Sequence, residues 1–174
     1  PLVVPDVMNP RFSYGSSKII SEMLSLHYKG SWQTVVVRPH NVYGPRMGYE
    51  HVIPQFVERM LNLSGREFSI QGTGEETRAF CFIDDFIGAF ILIMDKGTDR
   101  NIYHVGTDVE VKISELAKKV AKHFSRDIIL VPSALTKGST HRRAPDITKV
   151  KRLGFVPKIS LDEGLRKTIS WYRT

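Results

Sequence analysis

QTVVVRP, residues 33–39, is a run of β-branched and apolar residues ended by a proline. Such a run reads as a strand buried on both faces, the kind that fills parallel sheets. Pro39 opens the loop PHNVYGPRMGYEH, 39–51, which carries Gly44, Pro45 and Gly48. In itself it is a Pro/Gly-rich loop ending a buried strand, at the carboxyl end where open α/β sheets can bind ligands.

Upstream lies NPRFSYGSSKIISEML, 9–24. Ile19, Ile20, Met23, Leu24 and Leu26 recur at helical spacing, which predicts a helix over 13–28. Lys29-Gly30 ends it, since glycine suits the left-handed position after a helix. Positions i and i+4 share a helix face, so Tyr14 and Lys18 emerge side by side. Of six tyrosines, Tyr14 alone has a lysine four residues later. A free phenol is too weak an acid to act as a base at neutral pH, and a neighbouring ammonium favours the phenolate. The same spacing fits an ordinary surface pair, and one such motif in isolation carries little information.

Downstream, strand-like and helix-like segments alternate, as in an α/β fold. A helix is expected at 53–63, closed by Ser64-Gly65. FSI and RAFCFI read as short strands around the turn QGTGEET. Asp84-Asp85 reads as the cap of a helix running to about Met94. NIYHV is strand-like, SELAKKVAKHF an amphipathic helix begun by Ser114 and Glu115, and DIILVP another strand. Ser160 and Glu163 make an S-x-x-E capping box before a helix near 160–172. Trp171 and Tyr172 read as packing residues of that helix.

The 174 residues suffice for one ordinary domain, and 41% hydrophobic with 25% charged residues is a soluble globular composition. No apolar run reaches the ~18 residues of a membrane span, and Pro1–Asp6 does not read as a signal peptide. The single cysteine, Cys81, forms no internal disulfide, which fits a reducing cytoplasm. A net charge of +7 favours anionic partners: nucleic acid, membrane or phosphorylated small molecules. The densest basic cluster is HRRAPDITKVKR, 141–152. Helix-turn-helix patterns, zinc spacing and aromatic–basic interleaving are missing, which speaks against a nucleic-acid module. The histidines show no ligand-like spacing, so no metal is expected, and His104 reads as a satisfied core residue. A glycine-rich pyrophosphate clamp, the usual signature of a dinucleotide site, does not occur; Gly72-Thr73-Gly74 stands between two strands.

Read together and in order, NPRFSYGSSKIISE, VVVRPHNVYGP, HVIPQF, IQGTGEETRAFCFIDD, YHVG and RRAPDITKVKRLGFVPKISLDEGLRKTISWY resemble the extended short-chain dehydrogenase/reductase family. The nearest branch is its nucleotide-sugar epimerases, dehydratases and decarboxylases, and the match covers essentially the whole chain. The resemblance implies the C-terminal part of a doubly wound Rossmann-type parallel sheet plus a small mixed α/β substrate-binding domain. Residues 1–45 would belong to the NAD-binding domain and 46–174 mainly to the nucleotide-sugar region, with about 79–105 returning to the sheet. The family's glycine-rich half and catalytic Ser/Thr precede this stretch. These 174 residues alone are therefore expected to be inactive and poorly soluble, with an apolar sheet edge exposed.

Carried over residue by residue, the resemblance makes Tyr14 the catalytic base and acid, and Lys18 its partner and the holder of the nicotinamide ribose. Pro39 and Val42 would line the nicotinamide side. Asn41 would contact the sugar-nucleotide phosphates, and Val52, Ile53 and Pro54 would pack beside the base. Arg78 and Arg143 would hold the diphosphate, with Arg142 the fallback for Arg143. The implied cofactor is NAD and the implied substrate a nucleotide-diphosphate sugar, a UDP-sugar first, in a cytoplasmic homodimer. Epimerisation through a transient 4-keto sugar is the leading activity. A 4,6-dehydratase or UDP-glucuronate decarboxylase stands beside it, and a non-catalytic nucleotide-binding relative is the alternative of another class.

Overall fold

A computed structural model describes Met8, residues 11–135 and residues 139–173. Helix α1 spans Arg11–His27. The hydroxyls of Ser21 and Ser25 turn back onto its own carbonyls, at Ser17 O (2.9 Å) and Ser21 O (2.8 Å). Strand β1, Val35–Pro39, takes the last five residues of the QTVVVRP run. It pairs in parallel with β6, Asn101–Val105, from Val35↔Asn101 to Pro39↔Val105. Helix α3, Ile83–Lys96, covers this pair through Ala89 and Ile93. They join Tyr103, Val105, Val150 and Phe155 in a small core against which Val35 and Val37 pack.

A second, larger core lies among α2 (Val52–Leu61), β3 (Glu67–Gln71), α4 (Ile113–His123) and α6 (Leu161–Tyr172). Phe56, Val57 and Met60 of α2 meet Phe68 and Ile70 of β3, with Leu116 and Val120 of α4 and Leu165 and Ile169 of α6. Each helix offers residues three or four apart, so one stripe is buried and the rest is wet. Pro54 sits in the first turn of α2, where its missing N–H costs nothing. β3 pairs in parallel with β8, Ile129–Ser133. In α6 the Ser160 hydroxyl accepts from the Glu163 N–H (3.2 Å), as the capping box requires, while the Glu163 carboxylate pairs with Lys167 (3.1 Å). Gly164 lies so close to the Tyr43 ring that a Cβ there would collide with it.

Two expectations need correction. RAFCFI is not one strand: β4 is Thr77–Ala79, β5 is Cys81–Phe82, and Ile83 already begins α3. β4 pairs with β7 (Glu110–Lys112) antiparallel and with β9 (Arg142–Arg143) in parallel, whereas β5 joins β2 (Val42–Tyr43). The segment changes sheet at Phe80. Nor does the Asp84-Asp85 pair cap α3, whose N-cap is Phe82. Asp85 is 8% exposed, and its two carboxylate oxygens accept from the Lys158 N–H (3.0 Å) and the Ile159 N–H (2.9 Å). It staples α3 to the turn that leads into α6. Asp84 faces Lys167 at 3.8 Å. A one-turn helix α5, Thr148–Lys151, seats Val150 in the small core.

Candidate functional site

The strand switch at Phe80 is held by Asn41. Its backbone has a left-handed φ of 41°, which asparagine tolerates better than most residues. In that conformation its side-chain amide donates to Ala79 O (2.9 Å) and its own carbonyl accepts from the Cys81 N–H (3.2 Å). Asn41 thus bridges β4 and β5 across the break and stands in the wall of a cavity of about 380 Å³. The same wall carries Val52, Arg78 and Arg143, three more of the residues singled out in the sequence. Ile53 and Pro54 do not line it; both are buried beneath Val52, Ile53 in the larger core. Tyr172 steadies the loop 39–51 from α6, since its hydroxyl bonds Met47 O and its ring meets Tyr49 at 5.4 Å.

Arg78 and Arg143 are register partners in the parallel β4–β9 bridge, so they project from the same face of the sheet. Arg142, one residue earlier, points elsewhere. Its Nε and Nη2 fork onto Glu110 Oε1 at 3.0 and 2.6 Å, and Glu110 also accepts from the Thr77 hydroxyl (2.7 Å). Period-two alternation therefore separates the two arginines: one is occupied in an ion pair, the other faces the cavity. Arg78 is anchored by Nη1 to Thr77 O (2.7 Å) and Nη2 to Thr140 O (2.8 Å). Partial burial, and then the like charge of Arg143, hold its pKa below the ordinary guanidinium value, while Glu76 opposes them. Two neighbouring guanidiniums in a half-enclosed space call for an anion, and a diphosphate suits their planar forks.

Three cavity residues carry no motif signal. Glu76 is 3% exposed and accepts from the Gly74 N–H (2.9 Å) and the Thr73 N–H (3.3 Å). Burial alone would raise its pKa, but these bonds outweigh it and hold the group below the usual carboxylate value. It fastens the 72–76 turn from which β4 and Arg78 emerge. Gly72 and Gly74 supply the positive φ values of that turn, 76° and 86°. Arg59 of α2 lies over the Phe68 ring (4.2 Å), donates to Ser69 O (2.5 Å), and has its pKa lowered by burial. Gln55 completes the α2 side of the wall.

Tyr14 and Lys18 share the face of α1 that their spacing predicts, with the ammonium 5.4 Å from the phenol ring centroid. Tyr14 is 72% exposed, and neither residue lines the cavity. Pro39 ends β1 exposed, and Val42 is half-buried in β2. Between them His40 finds a partner that linear spacing did not reveal: its Nε2 lies 2.6 Å from Nδ1 of His104 on β6. Among the described residues no group of three or more His, Cys, Asp or Glu could hold a metal ion. Among the described residues no helix is long and apolar enough to cross a membrane.

Residues 3–106 match the family described as "NAD dependent epimerase/dehydratase family". A UDP-N-acetyl-alpha-D-glucosaminuronate decarboxylase of Bacillus cytotoxicus is 35% identical over 94% of this chain and 54% of its own. Among solved structures, DesIV of Streptomyces venezuelae, a dTDP-glucose 4,6-dehydratase with NAD and TYD bound, superposes with a TM-score of 0.80 at 30% identity, over 92% of this chain and 50% of its own. A UDP-glucose 4-epimerase from Thermotoga maritima with UDP-glucose gives 0.78 at 33% identity, over 91% and 51%. The chain thus spans about half the length of each of these three relatives.

Proposed function

The chain belongs to the NAD dependent epimerase/dehydratase family, and on that premise we propose that it carries the proton-transfer helix and the diphosphate pocket of an NAD-dependent nucleotide-sugar enzyme. The observation that carries this reading is the convergence of Asn41, Arg78 and Arg143 on one cavity. Residues 1–45 belong in this reading to the cofactor-binding sheet and 46–174 mainly to the sugar-nucleotide side, with about 79–105 returning to the sheet. The return of β6 to pair with β1 supports that division.

The residues present fit the nicotinamide end of the cofactor. β1 and β6 are parallel, so their carboxyl ends open at one edge. Pro39 and Val42 stand there, and Lys18 beside Tyr14 is placed to hold ribose hydroxyls. When bound, NAD supplies the hydride acceptor. Tyr14 takes the proton of the sugar C4 hydroxyl as the C4–H bond breaks, and returns it after the sugar has been re-presented. Arg78 and Arg143 neutralise the diphosphate, Asn41 donates to it, and Val52 flanks the base.

We take C4 epimerisation of a UDP-sugar as the activity. Dehydration and decarboxylation begin with the same oxidation at C4, and the relatives support them equally. A homodimer belongs to the same reading. The test is turnover of UDP- and dTDP-sugars by the protein, with products separated by mass: unchanged for epimerisation, lighter by water for dehydration, lighter by carbon dioxide for decarboxylation. Tyr14→Phe should lower kcat by about 10²–10⁴-fold while bound NAD is retained. Absence of both nucleotide-sugar binding and NAD from the purified protein would overturn the proposal.

A further inference from the structure

Helix α1 touches the rest of the described chain sparingly. Ser16, Glu22 and Leu26 are half-buried, and every other described side chain from Phe12 to His27 is exposed. Glu22 makes the firmest of these contacts. Its two carboxylate oxygens receive Nε (2.7 Å) and Nη2 (2.5 Å) of Arg38, a two-bond fork from helix to strand. The pairing holds the Glu22 carboxyl below, and the Arg38 guanidinium above, their ordinary pKa values.

The location of this fork is what gives it meaning. Tyr14, Lys18 and Glu22 follow each other at intervals of four, along one stripe of α1. Arg38 immediately precedes Pro39 at the carboxyl end of β1, and its register partner on β6 is His104, which bonds His40. The fork therefore joins the stripe bearing the phenol and ammonium to the strand end where the cofactor's reactive ring is placed above.

We infer that Glu22 and Arg38 are positioning residues: their fork sets the roll and height of α1 on β1, and so fixes where Tyr14 and Lys18 stand relative to the end of that strand. This rests on the function proposed above. A bidentate carboxylate–guanidinium pair constrains direction as well as distance, which a point-like ammonium does not. The pair is partly exposed, with 40% of the Arg38 side chain and 18% of the Glu22 side chain accessible. Such pairs contribute little to global stability. Loss of the fork removes a directional tie between α1 and β1, and a misplacement of about 1 Å at a reacting group costs on the order of 100-fold in rate.

The experiment is Arg38→Lys in the full-length protein, which keeps the charge and removes the fork, with Glu22→Gln as the second variant. Kinetics with the accepted nucleotide-sugar and amide hydrogen exchange are measured on both. The expected result is a fall in kcat of about tenfold or more, with KM within about twofold. Exchange protection should be lost in α1 and kept in α2, α4 and α6. A kcat within about twofold of wild type in both variants overturns the inference. So does a loss confined to KM. If Arg38→Lys loosens the whole protein, Glu22→Gln decides by the same kcat and KM criteria. If the wild type turns over no nucleotide-sugar, the proposed chemistry falls, and α1 exchange alone judges the tie: unchanged protection in both variants refutes it.

Discussion

Replacing Asp85 by alanine should remove a large fraction of the protein's stability. The side chain is 8% exposed and both carboxylate oxygens are engaged, at 3.0 Å with the Lys158 N–H and 2.9 Å with the Ile159 N–H. Truncation leaves two backbone donors without acceptors beside an apolar cavity of about 370 Å³ lined by Phe80, Phe82 and Val111. An orphaned donor costs about 1–3 kcal/mol when buried, and these two are only partly buried, so about 1.5 kcal/mol each gives an expected loss of about 3 kcal/mol. With a urea slope of about 2 kcal/mol/M for a domain of this size, the midpoint should fall by about 1.5 M at unchanged slope. Asp85→Asn retains one acceptor but turns an NH₂ toward a donor, and should lose about half as much. Equilibrium urea unfolding, followed by tryptophan fluorescence and circular dichroism, measures both. A loss below about 1 kcal/mol for Asp85→Ala would refute the stapling role.

The alternation along β9 makes a sharp contrast between neighbours. Arg143→Ala should weaken UDP binding by about tenfold or more in calorimetry, whereas Arg142→Ala should leave it within about twofold, because Arg142 is engaged with Glu110. Equal effects would show that the register assigned to the cavity is wrong. Stability should also fall with acid near neutrality. Burial first, and then the charges of His104, Arg38 and Arg143, hold the His40 pKa below its ordinary value. Burial and then Arg38 do the same for His104, with Glu22 and Asp146 opposing and Lys149 adding to the fall. The unfolded chain therefore binds protons first as pH drops through about 6.5, and the stability present above that value is lost as pH falls toward the folded-state values. Tm measured at about pH 7.5 and about pH 5.5 should drop, and drop less in His40→Gln; equal drops would show that the pair contributes nothing.

Long periodic segments were readable because their apolar residues recur at the period of a helix or a strand. VVVRP, NIYHV and the helices at α1, α2, α4 and α6 appear within a few residues of their expected limits. RAFCFI was not readable, because its division depends on partners elsewhere: Asn41 bridges the break, and β2, β7 and β9 pull the two halves into different sheets. The role of Asp85 likewise depends on Lys158 and Ile159, far along the chain. Within the candidate site, Asn41, Arg78 and Arg143 were found through the family resemblance, because they stand in its motifs. Glu76, Arg59 and Glu22 were not. A buried carboxylate that fastens a turn, a guanidinium laid over Phe68 and a carboxylate that ties a helix have no local spacing of their own. The His40–His104 contact falls in the same class, visible only once β1 and β6 lie side by side.

The sheet topology has a kinetic consequence. Each ladder joins segments that lie far apart in the chain: β1 with β6, β2 with β5, β3 with β8, and β4 with β7 and β9. Among the described residues no two consecutive strands pair as a hairpin, so long loops must close before any of these ladders gains a hydrogen bond. Folding should accordingly be slow, on the millisecond-to-second scale of chains dominated by non-local pairs. During synthesis β1 leaves the ribosome well ahead of β6 and waits for that partner with an edge open, the state in which an apolar strand such as VVVRP is most exposed to pairing with another chain.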